Sequence, residues 1–244
     1  MSAIRIVIPA YNEAANLPAL CERIQVALEK PYKLFIVNDG SKDGTREVLE
    51  KLAKAHPIEA LTHEVNRGIA AVFLTGLRAA SADAEDDDAV VVMEGDGTSA
   101  PEILGEMLDK LSGDCDVVIA SRYQQGGSYK DFPPKRLFLS CAANTLLGLI
   151  CRVPGVQDYT IFYRAYRAGP LKRALKEFGD RFTSTGGFAC NAEMLLRLKP
   201  FIREVREVPL VYDYSIKKGA SSMNIEKNLK SYLELFRIWF KEGR

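Results

Sequence analysis

The sequence lacks several features that would point directly to a function. Its five cysteines form no C-x-x-C pair, so neither a zinc site nor a disulfide framework is expected, and their scatter is typical of a reducing compartment. No apolar run reaches the ~18–20 residues needed to span a bilayer. Basic side chains number 33 and acidic ones 32, a balance that argues against a general nucleic-acid-binding protein.

The sequence does contain enough apolar material for a large folded domain. Hydrophobic residues make up 47% of the 244 residues, and charged residues make up 27%. The N-terminal residues MSAIRIVIPAYNE have no apolar segment of the kind that signal peptides carry. We therefore expect a cytoplasmic protein, either free in solution or peripheral on the cytoplasmic face of a membrane.

The first half of the chain alternates short β-rich runs with helical patterns. Strands are predicted at 4–8, 33–37, 58–64, 88–93 and 116–120, and helices at 17–28, 44–55 and 68–79. This alternation predicts an α/β fold, with a Rossmann-like, mostly parallel sheet and helices on both of its faces. Ligands of such sheets bind beyond the carboxyl ends of the strands, so the residues just after each strand are the candidate site.

The second half is less regular and contains two unusual helical patterns. Residues 135–151 are nearly all apolar, with basic residues at both ends. The chain closes with a predicted amphipathic helix over 225–241, whose apolar stripe consists of Leu229, Tyr232, Leu233, Phe236, Trp239 and Phe240. Both helices suit a membrane interface, but they equally suit packing on the protein or on a second copy of the chain. We expect one domain over 1–222 and a C-terminal helix within 223–244.

Polar residues follow four of the predicted strands. Carboxylates occur after the first, second and fourth strands, and Arg122 follows the fifth. Glu94 and Asp96 lie two residues apart beyond a buried strand, so both can face one cleft. Their oxygens suit Mg²⁺ or Mn²⁺, which use one or two carboxylates together with substrate phosphates. The alternative is that the pair only forms an acidic turn at the start of a helix. His56 and His63 fall at no predicted strand end and are expected at the surface.

Two other motifs overlap this acidic pair. Residues 95–100 match the dinucleotide-binding pattern G-x-G-x-x-A, but they follow the fourth strand, and Asp96 would repel a pyrophosphate. Residues 91–98 are similar to the D-x-D-G-T motif of haloacid-dehalogenase phosphatases, but Glu94 replaces the nucleophilic aspartate and the motif lies in mid-chain. Both interpretations remain weaker than a metal site.

Taken together, the order and spacing of these segments resemble the inverting GT-A glycosyltransferases of family 2, above all the dolichol-phosphate mannose synthases and polyprenyl-phosphate glucosyltransferases. The resemblance covers residues 4 to 223. It implies that the segment P-x-Y-N-E, with Pro9, Tyr11 and Glu13, contacts the nucleotide base, and that Asp39 of D-G-S-x-D-G-T holds the base or ribose. Gly68 belongs to the N-x-G motif that opens the third helix.

The same resemblance implies roles for residues further along the chain. The family's metal motif D-x-D, often followed by x-Q, is Glu94-Gly95-Asp96-Gly97-Thr98 here, so Glu94, Asp96 and Thr98 are the implied ligands of Mg²⁺ or Mn²⁺. Arg122, in A-S-R-Y, is a candidate phosphate ligand. Asp158 opens a segment similar to D-x-x-S-G-F-R, and Glu193 closes one that resembles G-F-x-x-x-x-E, near the acceptor. Lys217 and Lys218 stand where the family has a basic residue.

The reaction implied is the transfer of a hexose from a nucleotide-diphosphate sugar, of the GDP-mannose or UDP-glucose type, to a polyprenyl or dolichyl phosphate. An anionic acceptor needs cations rather than a base, and the candidates are Arg122, Lys135, Arg136, Lys217 and Lys218. A neutral hydroxyl would need a base, for which Asp158 comes first and Glu193 second. A soluble sugar or polysaccharide as acceptor, and a non-catalytic module that binds nucleotide sugars, remain the alternatives.

Overall fold

The computed structural model describes residues 3–216 and 225–241. Its strands are β1 Ile4–Ala10, β2 Tyr32–Asp39, β3 Ile58–His63, β4 Ala89–Val92, β5 Cys115–Ser121, β6 Ser128–Lys130, β7 Arg164–Arg167, β8 Glu204–Pro209 and β9 Val211–Asp213. Its helices are α1 Leu17–Ala27, α2 Thr45–Leu52, α3 Ile69–Ser81, α4 Leu104–Lys110, α5 Pro134–Cys151, α6 Ala168–Phe178, α7 Ala189–Leu198 and α8 Ile225–Lys241.

Seven of the strands form one sheet in the order β3-β2-β1-β4-β7-β5-β8. All neighbouring strands are parallel except β7, which lies antiparallel between β4 and β5. The remaining two strands, β6 and β9, pair in parallel as a separate ribbon. Every residue of β4 and β5 is buried, which explains why these segments lack the alternation of a half-exposed strand. The predicted α/β fold with a mostly parallel sheet is confirmed.

Helix α3 lies directly on the sheet because Gly76 has no side chain. A Cβ atom there would come within 2.4 Å of a methyl group of Val7 in β1 and 3.1 Å of one of Val37 in β2. This close approach packs the middle of α3 against β1 and β2. Gly68, which caps the first turn of α3, has φ +85°, a conformation that glycine adopts without strain.

The two apolar helices keep part of their apolar surface exposed. On α5, Leu147 and Cys151 face the core, whereas Phe138 is 73% exposed and Leu149 is 63% exposed. On α8, the predicted single stripe divides in two. Tyr232, Phe236 and Trp239 pack on the core around buried Leu235, and the outer apolar residues Leu229, Leu233 and Phe240 remain exposed. Within the described ranges, no helix has the length and apolarity required to cross a membrane. The domain boundary expected at 222 falls outside those ranges.

Candidate active site

The carboxyl ends of β1, β2 and β4 lie side by side at one edge of the sheet. Ala10 of β1 pairs with Asn38 of β2, and Val7 of β1 pairs with Val92 of β4. Asp39 therefore ends β2 on one side of β1, and Glu94 follows β4 on its other side. The register brings the nucleotide-binding segments predicted from the sequence to the same edge as the acidic pair.

The acidic pair lies in a turn over 94–99 that is closed by its own side chains. Asp96 is buried, and its Oδ1 accepts hydrogen bonds from the Thr98 amide at 3.1 Å and the Thr98 hydroxyl at 2.6 Å. Ser99 donates its hydroxyl to the Glu94 carboxylate and accepts from the Glu94 amide. A Cβ atom on Gly95 would lie 2.5 Å from the Pro9 carbonyl oxygen, so glycine is needed for the turn to pack against β1.

The turn over 94–99 concentrates negative charge where solvent is scarce. Burial, reinforced by the charge of Asp96, raises the pKa of Glu94 to about 7. Such crowded oxygen ligands fit a hard divalent cation, which would relieve their repulsion. No group of three or more His, Cys, Asp or Glu side chains is arranged to hold a metal within 3–216 and 225–241. The pair is therefore too small to form a complete coordination shell by itself.

Arg122, the first residue after β5, is held by Asp158 in a buried ion pair. Its Nε and Nη2 each donate to a different oxygen of Asp158 at 2.7 Å, and its amide donates to the same carboxylate at 3.2 Å. Nη2 also donates to the Thr160 hydroxyl at 2.6 Å. Two parallel hydrogen bonds of this kind fix the plane of the guanidinium as well as its position.

The surroundings of Asp158 do not suit a general base. Its side chain is fully buried, and its oxygens also accept from the backbone amides of Thr160 and Ile161. Burial alone would raise the pKa of Asp158, but the charge and hydrogen bonds of Arg122 outweigh burial and lower it. Asp158 is thus placed to position Arg122, and it presents no surface from which to take a proton from an acceptor.

Aromatic rings from the β6–β9 ribbon and the residues around it cover Arg122. Its guanidinium carbon lies 4.9 Å from the ring centre of Tyr129 and 5.7 Å from that of Tyr212. The hydroxyl groups of Tyr212 and Thr98 are hydrogen bonded at 3.2 Å. Burial, with the charges of Glu94 and Asp96, raises the pKa of Tyr212. The ribbon therefore joins the turn over 94–99 to the Arg122–Asp158 pair.

His63 is a residue of this edge that the sequence analysis placed wrongly. It ends β3 opposite Asp39, and it is buried rather than exposed. Its Nδ1 lies 2.7 Å from Asp39 Oδ1, and because a carboxylate only accepts, Nδ1 is the donor. Its Nε2 lies 3.0 Å from the Thr75 hydroxyl. The available signal was the position of His63 next to the end of the predicted strand 58–64, but the sequence analysis did not predict that β2 and β3 are neighbours or that their register aligns the two residues.

Asp39 is further fixed by the loop before α3. The amides of Arg67 and Gly68 donate to its two carboxylate oxygens, each at 2.9 Å. Asp39 Oδ1 already accepts hydrogen bonds from His63 and from the Arg67 amide, so the remaining capacity to accept hydrogen bonds lies mainly on Oδ2. Asp39 thus connects the ends of β2 and β3 with the beginning of α3, at the place where the nucleotide base or ribose was predicted.

The first predicted nucleotide segment, 9–13, interlocks with the second one, 38–45. The side-chain oxygen of Asn12 accepts a hydrogen bond from the Lys42 backbone amide at 2.8 Å, and the Asn12 backbone amide donates to the Ser41 hydroxyl. The Glu13 backbone amide donates to the Thr45 hydroxyl at 3.0 Å. Tyr11, between Pro9 and this interlocked region, stays half-buried. Tyr11 directly follows β1 and does not belong to the core.

The remaining predicted residues are Glu193, two basic residues of α5 and two lysines near the C-terminal helix. Glu193 is buried on α7, where it accepts from the amides of Ser184 and Thr185 at 2.8 and 2.7 Å and so shapes the loop before that helix. Lys135 is exposed at the start of α5, and the neighbouring Arg136 donates to the Tyr214 hydroxyl at 2.8 Å. Two further candidates lie outside the described residues: Lys217 and Lys218.

The chain is similar in sequence to a known protein family and to two named relatives. The sequence matches the profile described as "Glycosyl transferase family 2" over residues 5–175. It is 31% identical to the polyprenol monophosphomannose synthase of Mycolicibacterium smegmatis, in an alignment that covers 98% of this chain and 87% of that protein. It is 28% identical to the dolichol-phosphate mannosyltransferase of Pyrococcus furiosus, over 98% of this chain but only 64% of that protein.

A solved structure shows the same fold. It is the glucosyl-3-phosphoglycerate synthase of Mycobacterium tuberculosis, determined with Mn²⁺, UDP and glucosyl-3-phosphoglycerate. The TM-score is 0.63 at 15% identity, and the match covers 96% of this chain and 77% of that one. The expected GT-A architecture is thereby confirmed. By its sequence match and by its relatives, the chain belongs to glycosyl transferase family 2.

Proposed function

We propose that this glycosyltransferase is inverting and metal-dependent, and that it moves a hexose from a nucleotide-diphosphate sugar to a polyprenyl phosphate at a membrane surface. The main observation behind the proposal is that the acidic turn over 94–99 and the fixed Arg122 lie close together at one edge of the sheet. The names of the two relatives, a polyprenol monophosphomannose synthase and a dolichol-phosphate mannosyltransferase, support the choice of acceptor.

On the donor side, Glu94, Asp96 and the Thr98 hydroxyl are the residues that would hold Mg²⁺ or Mn²⁺. When bound, the metal neutralises the charge that develops on the leaving diphosphate. Asp39 holds the base or ribose through the capacity that remains on its carboxylate, and Tyr11 contacts the base. Because Asp39 is fixed by His63 and two backbone amides, it needs no rearrangement to receive the nucleotide.

Arg122 supplies a fixed positive charge for the reacting phosphates. Asp158 and Thr160 engage its Nε and Nη2, and among the described residues its Nη1 has no hydrogen-bond partner. Nη1 is therefore the group that can donate to a phosphate oxygen. Since Asp158 holds the guanidinium in advance, little ordering is required when the substrate arrives, which is the condition for effective electrostatic stabilisation.

The surroundings of the two candidate bases favour a phosphate acceptor over a hydroxyl. Asp158 and Glu193 are both buried, and both are engaged by several donors. A lipid phosphate is already anionic and needs no base, only cations such as Arg122 and Arg136. The exposed apolar face of α5, with Lys135 and Arg152 at its ends, would lie in the membrane interface beside such a lipid.

The proposal is tested by incubating the purified protein with GDP-mannose or UDP-glucose, Mn²⁺ or Mg²⁺, and either a short-chain polyprenyl phosphate or a soluble sugar. We expect a glycosylated lipid phosphate with inverted anomeric configuration, formed only when a divalent metal is present. Transfer to the sugar hydroxyl alone would contradict the proposed acceptor, and donor binding without any transfer would contradict catalysis.

A pair of variants makes the same test specific to the turn over 94–99. Asp96→Asn keeps the size of the side chain but removes its charge, so we expect metal-dependent turnover to be lost while the fold is retained. Glu106→Gln, which removes a carboxylate from an exposed ion pair on α4, is the matched control and should leave turnover unchanged. Equal activity of the two variants would show that Asp96 is not part of the active site.

A further inference from the structure

Asn144, on the inner face of α5, holds the backbone on both sides of Asp158. Its side-chain amide donates to the carbonyl oxygen of Gln157 at 2.5 Å, and its Oδ1 accepts from the backbone amide of Tyr159 at 2.7 Å. Asn144 is itself buried, on a helix that leaves most of its side chains partly or fully exposed. Because it pairs with the residues before and after Asp158, Asn144 fixes the backbone from which that carboxylate projects.

The same backbone is held from the other side by Glu207 on β8. Glu207 Oε1 accepts from the backbone amides of Gln157 at 2.6 Å and Asp158 at 2.9 Å. The two attachments differ, because β8 belongs to the seven-stranded sheet, whereas α5 lies outside it and keeps Phe138 and Leu149 exposed. The attachment through α5 is therefore the one that the surroundings of the protein can reach.

The same part of α5 also touches two of the rings that cover Arg122. The hydroxyl oxygens of Tyr129 and Ser140 lie 3.3 Å apart, and the Tyr123 hydroxyl donates to the Cys141 sulfur at 3.6 Å. The ring centres of Tyr129 and Tyr123 lie 4.9 and 5.9 Å from the guanidinium carbon. This part of α5 thus meets the surroundings of Arg122 on the side of the rings as well as on the side of its carboxylate partner.

We propose that Asn144 is a positioning residue for Arg122. By holding the backbone on both sides of Asp158, it fixes the carboxylate that orients the guanidinium, and so determines where Nη1 lies. Helix α5 is then tied to the reaction by hydrogen bonds, in addition to offering an apolar surface. This role rests on the proposed function only for the statement that Arg122 binds the reacting phosphates, since the hydrogen bonds that link Asn144 to Arg122 do not depend on it.

The test follows the Nε proton of Arg122, which the hydrogen bond to Asp158 protects from exchange with solvent. NMR measures this exchange in the wild type and in Asn144→Leu, a replacement of similar size that removes both hydrogen bonds of the side chain. We expect faster exchange in the variant and a kcat about tenfold lower, the usual effect of one lost hydrogen bond. The KM for the nucleotide sugar should not change, because Arg122 acts on charge that develops in the transition state.

Leu147→Ala is the matched control. Leu147 is fully buried on the same face of α5, three residues after Asn144, and its truncation leaves a cavity without removing either hydrogen bond of Asn144. Urea titration should show that this variant loses stability. The exchange of the Arg122 proton and kcat should nevertheless stay at their wild-type values.

Three results would overturn this role. One is wild-type protection of the Arg122 proton in folded Asn144→Leu, and a second is faster exchange with an unchanged kcat. The third is equal acceleration in Asn144→Leu and Leu147→Ala, which would indicate a general loosening of α5. If Asn144→Leu does not fold, Asn144→Ser, whose shorter side chain cannot reach both partners, must accelerate the exchange where Leu147→Ala does not. A wild type that transfers sugar to no acceptor, while the exchange responds as expected, would refute the proposed function and still support the link from Asn144 to Arg122.

Discussion

The replacement Asp158→Asn tests whether Asp158 positions Arg122 or acts as a base. Asparagine has nearly the same size, but its amide would place N–H groups against the guanidinium and remove the opposing charge. The structure shows a bidentate pair at 2.7 Å in which Asp158 is fully buried. The variant therefore leaves Arg122 buried without its carboxylate.

The expected loss of stability is large. Removing one partner of a buried ion pair costs about 3–5 kcal/mol, because the remaining charge has no partner. Thr160→Val is the matched comparison, since it removes one hydrogen bond to the same guanidinium and should cost only about 1.5–3 kcal/mol. Turnover should fall in both variants, and more in Asp158→Asn, because Arg122 loses its fixed orientation.

The free energy of unfolding is measured by urea titration for each variant, and turnover is measured in parallel. The lowered pKa of Asp158 adds a pH dependence: the stabilisation is complete above the ordinary pKa of aspartate and is lost as the pH falls through the lowered value. Asp158→Asn should lack this component. A variant as stable as the wild type, with turnover lost at every pH, would refute the positioning role and restore Asp158 as a base.

Three further predictions concern other parts of the site. His63→Leu should raise the KM for the nucleotide sugar about tenfold, because Asp39 loses the hydrogen bond that fixes it. His63→Asn keeps a hydrogen-bond donor, so its KM should rise less. Equal kinetic constants in both variants would exclude a role of His63 in positioning Asp39. Gly95→Ala should destabilise the protein by about 1–3 kcal/mol and weaken donor binding, because the added Cβ would clash with the Pro9 carbonyl oxygen. Gly105→Ala, which has open space around it, should do neither, and thermal unfolding of the two variants tests the difference. Phe138→Glu on α5 should reduce the fraction of protein that sediments with anionic vesicles, and Val26→Glu, at the still more exposed Val26 on α1, should leave it unchanged; equal loss in both would refute α5 as the membrane face.

The sheet edge could be predicted from sequence because it depends on local patterns. Short apolar runs define β1, β2, β4 and β5, and parallel strands necessarily bring their carboxyl ends together. The turn over 94–99 and Arg122 follow these runs directly, so their place at the edge required no knowledge of long-range contacts. The resemblance to known glycosyltransferases then supplied roles that the patterns alone do not give.

The long-range contacts of the site could not be predicted from local sequence patterns. Arg122 and Asp158 are 36 residues apart in sequence, and their pairing depends on β7 entering the sheet antiparallel between β4 and β5. Nothing in the sequence pattern of residues 164–167 specifies the direction of β7 or its neighbours in the sheet. The division of the α8 stripe likewise depends on which of its residues meet α7, a tertiary choice that helical spacing does not determine.

Calorimetric titration of UDP and GDP, with and without Mn²⁺, tests the central claim most directly in the wild type and in Asp96→Asn. We predict that one of the two nucleotides binds the wild type only when Mn²⁺ is present, and that Asp96→Asn abolishes this binding. Equal affinity with and without the metal, or undiminished Mn²⁺-dependent binding by Asp96→Asn, would contradict the account.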